Sequence, residues 1–280
     1  MSSSSAFGLS NTLPTPYAEL NAVLLELVAR VRNALGANFV GAYLQGSFAI
    51  GDFDAYSDVD FLIVVEQDIA DAQLPQLQAL HEEVFQLPSA WAQHLEGSYI
   101  PRDALRNQLP PQRAFLYLDN GSRALVRSHH DDTLVVYWVL RERGITLIGP
   151  EPRSLVTPVS ADALRAEIFA TMRSWREHFL ANPGELNNRW YQTFAVLSYC
   201  RMLHTLQTGT VASKPAGAAW GKEALDRRWR PLIQRASDDR PGDAALKVCQ
   251  AAQPADLEST WEFLQYAVDL GREWRDGGSS

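Results

Sequence analysis

A chain of 280 residues with 46% hydrophobic and 21% charged side chains has the composition of a soluble globular protein and room for two ordinary domains. A formal charge of -8 argues against a broad nucleic-acid footprint, which needs a basic face, and favours small neutral or cationic partners. The N-terminal MSSSSAFGLSNTLPTP lacks the basic start and apolar core of a signal peptide, no run reaches the roughly 18 apolar residues of a membrane span, and Cys200 and Cys249 have neither disulfide nor zinc spacing, so a reducing cytoplasm is expected.

In chain order, residues 1–14 read as a flexible arm. Thr15 is the expected N-cap of a first helix with Pro16 in its first turn, and Tyr17, Leu20, Leu24, Leu27, Val28, Val31 and Leu35 share one face. A short apolar strand from Phe39 to Leu44 runs into Gly46-Ser47, and SDVDFLIVV, 57–65, reads as a buried strand. A helix over 72–85 and a strand over 91–100 follow, then a helix over 132–143 and a closing strand ITLIG. Three prolines in GPEPRSLVTPVS, 149–160, mark the boundary between domains, set at 15–152 and 153–280. Beyond it, segments 161–180, 185–208, 217–236 and 256–275 carry helical spacing. The expected fold class is therefore α+β, with a small mixed sheet and its helices in the first domain and an all-α bundle in the second.

The chemistry concentrates in GSFAIGDFDAYSDVDFLIVV, residues 46–65. Gly46 permits close backbone approach and Ser47 offers amide and hydroxyl donors, together a cradle for a phosphate oxygen, with Ser57 as a second hydroxyl. Asp58 and Asp60, two apart at the start of a strand, direct both carboxylates to one face. Such a pair beside a phosphate-binding turn suits Mg2+, which takes hard oxygen ligands and completes its shell with water and substrate phosphates. Nucleotidyl transfer also needs the attacking hydroxyl activated, and Glu96, on the same strand face as Ser98, is the candidate third carboxylate around the cation. Asp52 and Asp54 read as loop carboxylates. His129-His130-Asp131-Asp132 brings four metal-binding types together, but adjacent residues point in different directions and rarely converge on one ion. Trp138, Trp175, Trp229, Trp261 and Trp274 read as helix-packing anchors.

Gly46-Ser47, ten residues, then Asp58-Val59-Asp60 resembles the signature of the DNA polymerase beta type nucleotidyltransferase superfamily. Leu197, Ser198, Arg201, Thr208, Gly209, Lys214 and Trp220, with DTLVVYWVLRERGITLIGP at 132–150, are similar to the aminoglycoside nucleotidyltransferases of the streptomycin/spectinomycin 3''-adenylyltransferase type. The resemblance spans about residues 40 to 236 in short motifs.

The resemblance implies magnesium-dependent transfer of AMP from ATP to a hydroxyl of an aminoglycoside or aminocyclitol, with release of pyrophosphate. Asp58 and Asp60 would hold the metal and Glu96 would be the general base. Gly46, Ser47, Ser57 and Asp132 would face the nucleotide. Arg201 and Lys214 would neutralise charge on the leaving pyrophosphate, with ATP between the domains of a monomer. Glu185, Trp190 and Asp119 are candidate acceptor contacts. Asn187, Asn188 and Tyr191 stand where the family pattern has more carboxylate, which leaves the particular acceptor open. The alternatives are transfer to another small molecule or a macromolecule, or a nucleotide-binding regulator without turnover.

Overall fold

The computed structural model describes residues 13–53, 57–107, 113–240, 251 and 254–277; most of the expected arm, Asp54 and Cys249 lie outside the described residues. The chain divides into two compact units after Pro158.

The first unit is a mixed six-stranded sheet in the order β5-β4-β3-β2-β1-β6. Its strands are β1 Phe39–Leu44, β2 Val59–Val65, β3 Leu95–Pro101, β4 Phe115–Leu118, β5 Leu125–Ser128 and β6 Ile145–Ile148. Among the described strands only β2 and β3 run parallel. Helices α1 (Ala18–Leu35) and α3 (Leu74–Phe85) supply Leu20, Leu24, Leu27, Val31, Leu77 and Val84 to a core completed by Val59, Phe61, Ile63 and Val65 of β2 and Leu95 and Tyr99 of β3. Because strand side chains alternate, this packing sends Asp60, Glu96 and Ser98 to the opposite face of the sheet. Leu116 and Leu118 of β4 join the same core, so Tyr117 also projects to the face that carries Glu96.

Several expected boundaries move. The first helix starts at Ala18 with Tyr17 as its N-cap. Thr15 is instead clasped to Asn21: its amide and hydroxyl donate to Asn21 Oδ1 at 3.1 and 2.8 Å, and Asn21 Nδ2 donates back to the Thr15 carbonyl at 2.8 Å. The third strand begins at Leu95, preceded by a 3-10 turn over Ala90–Gln93. The hairpin β4–β5 is absent from the expectations above. Helix α2 (Gly46–Ile50) follows the Gly-Ser turn, α4 (Arg102–Asn107) follows β3, and α5 (Leu134–Arg143) is capped by Thr133 Oγ1, which accepts from Val136 N. The short α6 (Pro152–Leu155) packs with this unit, where Arg141 Nη1 donates to the carbonyls of Arg153 and Val156 at 2.6 and 2.5 Å.

His81 on α3 is buried, with Nε2 2.7 Å from Tyr99 Oη and no partner for Nδ1 among the described residues. Burial lowers its pKa to about 4. Between its ordinary value near 6.5 and that one, the unfolded chain binds a proton that the folded chain refuses, so stability falls as pH falls through this window and is complete above it. Thermal and urea melts are expected to show a loss of about 2 kcal/mol from about pH 7 to about pH 5, reduced in His81→Gln. Equal pH sensitivity of the two proteins would show that His81 is not the responsible group.

The described helices of the second unit are α7 (Ala161–Ala181), α8 (Arg189–Thr208), α9 (Lys214–Ala224), α10 (Arg230–Asp239) and α11 (Pro254–Gly277). The segment expected as one helix over 217–236 breaks at Leu225. Asp226 Oδ1 accepts from Arg228 N in a 3-10 turn, and Pro231 opens the next helix. Trp229 is buried against Phe263, as expected of a packing anchor. No described helix is long and apolar enough to cross a membrane.

Candidate active site

The turn after β1 is built around a glycine that nothing else replaces. Gly46 has φ +58°, and a Cβ placed on it would lie 1.9 Å from Asp60 Oδ2 and 2.4 Å from Asp60 Cγ. The backbone therefore presses against the Asp60 carboxylate, and Gln45 N donates to the Asp60 carbonyl at 2.8 Å. Beside it, Ser47 Oγ is buried with no hydrogen-bond partner among the described residues, a donor held for something the protein itself does not supply. Ser57 is buried, and Asp58 lies immediately before β2, so strand alternation carries over to it only from outside the ladder.

Asp60 and Glu96 are register partners on the parallel strands β2 and β3, which puts them side by side on one face. Tyr117 Oη donates to Glu96 Oε1 at 2.6 Å and lies 3.1 Å from Asp119 Oδ1. Burial first, then the hydrogen bond to Glu96 and the two nearby carboxylates, push the Tyr117 phenol far above its ordinary value, so it stays a donor. His130 stacks on Tyr117 with ring centroids 4.8 Å apart and reaches Glu96 Oε1 with Nε2 at 3.2 Å. Its pKa rises to about 9, chiefly through the hydrogen bond to Glu96 and against the effect of burial. Asp58 Oδ1 accepts from Asn120 Nδ2. Asp119 and Asn120 both lie just beyond β4.

Three residues of the His129–Asp132 run face different partners rather than one another. His130 faces Glu96, while Asp131 is buried and accepts from Ser98 Oγ at 2.7 Å and Gln45 Nε2 at 3.4 Å. Asp132, also buried, accepts from Tyr137 Oη at 2.5 Å. Among the described residues no group of three or more His, Cys, Asp or Glu side chains is assembled at metal-binding spacing, so the expected convergence of Asp58, Asp60 and Glu96 on one ion is not preformed, and what the strands provide is the Asp60–Glu96 pair with Asp58 just before β2. The donor set nevertheless suits Mg2+: its oxygens are hard, the adjacent turn has room only for a glycine, and such ions commonly take one or two carboxylates plus substrate phosphates.

In the helical unit, Arg201 lies within α8 and Lys214 opens α9 behind its N-cap Ser213, whose Oγ accepts from Ala216 N. Gly217 allows the two helices to touch, because a Cβ there would meet the Arg201 Cα and N at 2.8 and 2.9 Å. The crossing thus fixes Lys214 one turn from the Arg201 backbone contact. Lys214 Nζ sits 5.1 Å from the Phe194 ring centroid, and Phe194 stacks with Trp190 and with Trp175 at centroid distances of 5.5 and 5.3 Å. Trp190 is thereby part of an aromatic ladder, and Glu185 pairs with His178 Nε2 at 3.0 Å. Asn188 departs from the family pattern for a local reason: its Oδ1 caps α8 by accepting from Trp190 N and Tyr191 N.

Tyr117, Asn120, His130 and Asp131 beside the carboxylates are residues that sequence reasoning did not assign to the site, as, within the helical unit, Phe194 and Gly217 are residues it gave no role. For three of them a signal existed: FLYL, then Asp119-Asn120-Gly121, then LVRS is a hairpin pattern, and recognising it brings Tyr117 and Asn120 beside β3 and His130 just beyond the hairpin.

Comparison with known proteins agrees with this architecture. A family model described as "Nucleotidyltransferase domain" matches residues 28–107, and one described as "Aminoglycoside adenylyltransferase, C-terminal domain" matches residues 154–264. The chain is 28% identical over 234 residues to a spectinomycin 9-adenylyltransferase of Staphylococcus aureus, covering 78% of this chain and 84% of the relative. It is 22% identical over 258 residues to an aminoglycoside (3'') (9) adenylyltransferase of Escherichia coli, covering 89% and 94%. The crystal structure of a spectinomycin adenyltransferase from Enterococcus faecialis with ATP and spectinomycin has the same fold, with a TM-score of 0.67, 15% identity, and coverage of 90% of this chain and 98% of that one. With a nucleotidyltransferase domain followed by an aminoglycoside adenylyltransferase C-terminal domain, the chain is a nucleotidyltransferase that is similar over most of its length to the aminoglycoside nucleotidyltransferases of the streptomycin/spectinomycin 3''-adenylyltransferase type.

Proposed function

We propose that this protein transfers AMP from ATP to a hydroxyl group of an aminoglycoside or aminocyclitol and releases pyrophosphate. The observation that carries the reading is the pairing of Asp60 with Glu96 across β2 and β3, against a turn whose glycine has no room for a side chain. The names of the relatives, which specify spectinomycin and aminoglycosides, support the acceptor class.

In the proposed reaction the acceptor oxygen attacks the α-phosphorus of ATP. A new P–O bond forms there while the bond from the α-phosphorus to the bridging oxygen breaks, and that oxygen leaves with pyrophosphate. Glu96 takes the proton of the attacking hydroxyl. Tyr117 and His130 hold one oxygen of that carboxylate, which keeps its plane and orientation set before substrate arrives. Ser47 contributes its buried hydroxyl to a phosphate oxygen, with Gly46, Ser57 and Asp132 lining the nucleotide. Arg201 and Lys214 of the helical unit balance charge on the pyrophosphate. Asp58 and Asp60, with Glu96 beside them, are the residues that would hold Mg2+, which when bound supplies charge neutralisation for the phosphates.

The test is direct. Purified protein with ATP, Mg2+ and either spectinomycin or streptomycin is expected to yield an acceptor heavier by one adenylyl group and one pyrophosphate per product, followed by mass spectrometry. ATP binding with neither acceptor modified would overturn the acceptor class. A broader acceptor panel would then separate transfer to another small molecule or a macromolecule from a nucleotide-binding role without turnover.

A further inference from the structure

The buried carboxylate of Asp131 has no part in the reaction above, yet it occupies a junction. Its two oxygens accept from Ser98 Oγ at 2.7 Å and Gln45 Nε2 at 3.4 Å. Ser98 lies two residues after Glu96 on the same face of β3, and Gln45 immediately precedes Gly46. The Gln45 backbone amide is already tied to the Asp60 carbonyl. Asp131 therefore closes a ring of bonds that runs from Asp60 through the glycine turn to β3 and back across the β2–β3 ladder.

All three side chains of this link are buried: Gln45 and Asp131 are each 5% exposed and Ser98 is 1% exposed. A carboxylate in that position is costly, and burial accordingly raises the Asp131 pKa against the help of Ser98 and the neighbouring His130. Apolar packing would hold the same elements together at lower cost, but it would leave the turn free to slide relative to the strand. A charge-assisted pair of hydrogen bonds fixes direction as well as distance.

We propose that Asp131 is a positioning residue that locks the Gly46-Ser47 turn to the strand bearing Glu96, setting the distance between bound phosphate and general base. This rests on the function proposed above. Gln45 and Ser98 act through it, so breaking either bond releases the same constraint.

The experiment uses the full chain carrying Ser98→Ala, Gln45→Leu, both together, and Asp131→Asn. Each single change is expected to lower kcat about tenfold while ATP affinity, read by calorimetry, stays within about threefold, because small misplacement of reacting groups is costly in rate. The double variant is expected to fall about as far as either single variant, since the two share one constraint. Amide hydrogen exchange over residues 46–51 is expected to accelerate about tenfold in every variant, a readout independent of turnover. A merely structural role predicts lower melting temperatures with wild-type kcat and wild-type exchange in the turn, and that result overturns the proposal, as does a double variant whose losses multiply. If Asp131→Asn does not fold, the Ser98 and Gln45 pair alone decides. Absence of turnover in the unaltered protein sinks the functional reading, and the exchange rates with their non-additivity still decide whether the link exists.

Discussion

Asp60→Asn is expected to reduce pyrophosphate release by at least about a thousandfold, which corresponds to roughly 4 kcal/mol of lost transition-state stabilisation. Asparagine has nearly the volume of aspartate and retains one oxygen, so the contact with Gly46 and the β2 ladder survive. What disappears is the negative charge beside Glu96. Calorimetry is expected to show Mg2+ strengthening ATP binding by the unaltered protein and leaving it unchanged in Asp60→Asn. The melting temperature without Mg2+ is expected to change little, because losing the repulsion between Asp60 and Glu96 is offset by losing the attraction of Asp60 for protonated His130. Turnover equal to the unaltered protein would remove Asp60 from any role with the metal. A collapse in melting temperature would instead assign it to folding.

The same residues show how much of the site was legible beforehand. Asp58, Asp60 and Ser57 announce themselves because charged and hydroxyl groups run straight into FLIVV, a strand too apolar to lie anywhere but the core, and Ser47 because it follows Gly46 with ten residues between it and Asp58. Glu96 follows from alternation with Leu95, and its register with Asp60 needs only that β2 and β3 be parallel neighbours. The groups that hold Glu96 were not legible in the same way. Tyr117 and His130 are 21 and 34 residues away in sequence, and their approach depends on the β4–β5 hairpin, whose strands are four residues each. Strands that short carry little periodicity, and β5 is largely exposed, so its sequence has no strong apolar alternation.

Helix limits failed for a similar local reason. Thr15-Pro16 has the composition of a helix start, but Asn21 captures both the amide and hydroxyl of Thr15, and the helix begins beyond them. In the second half, Gly217 and Gly221 look like weak helix formers, although a Cβ at the first would strike the Arg201 backbone and one at the second would crowd Cys200 Sγ at 3.2 Å. Propensity sees their cost within α9. It is blind to the helix they allow to approach.

Gly46→Ala is expected to be nearly as damaging as loss of the Asp60 charge, and a second glycine nearby separates the reasons. An alanine at φ +58° costs about 1–2 kcal/mol in backbone strain alone. Its methyl would also lie 1.9 Å from Asp60 Oδ2, 2.4 Å from Cγ and 2.9 Å from Cβ, so the carboxylate must leave its position or the turn must open. Either movement separates Asp60 from Ser47 and from Glu96. Gly51, at φ +82°, has nothing within 4 Å of the point a Cβ would occupy, so Gly51→Ala imposes a comparable backbone cost without the collision. Both variants are expected to melt lower, by about 1–2 kcal/mol for Gly51→Ala and somewhat more for Gly46→Ala. Only Gly46→Ala is expected to lose activity, by about a hundredfold or more, with Gly51→Ala within about twofold of the unaltered protein when assayed well below its melting temperature. Parallel losses of activity in the two variants would mean that backbone strain, rather than the displaced carboxylate, limits the reaction. Full activity in Gly46→Ala would show that the Asp60 side chain does its work from somewhere other than the face of this turn.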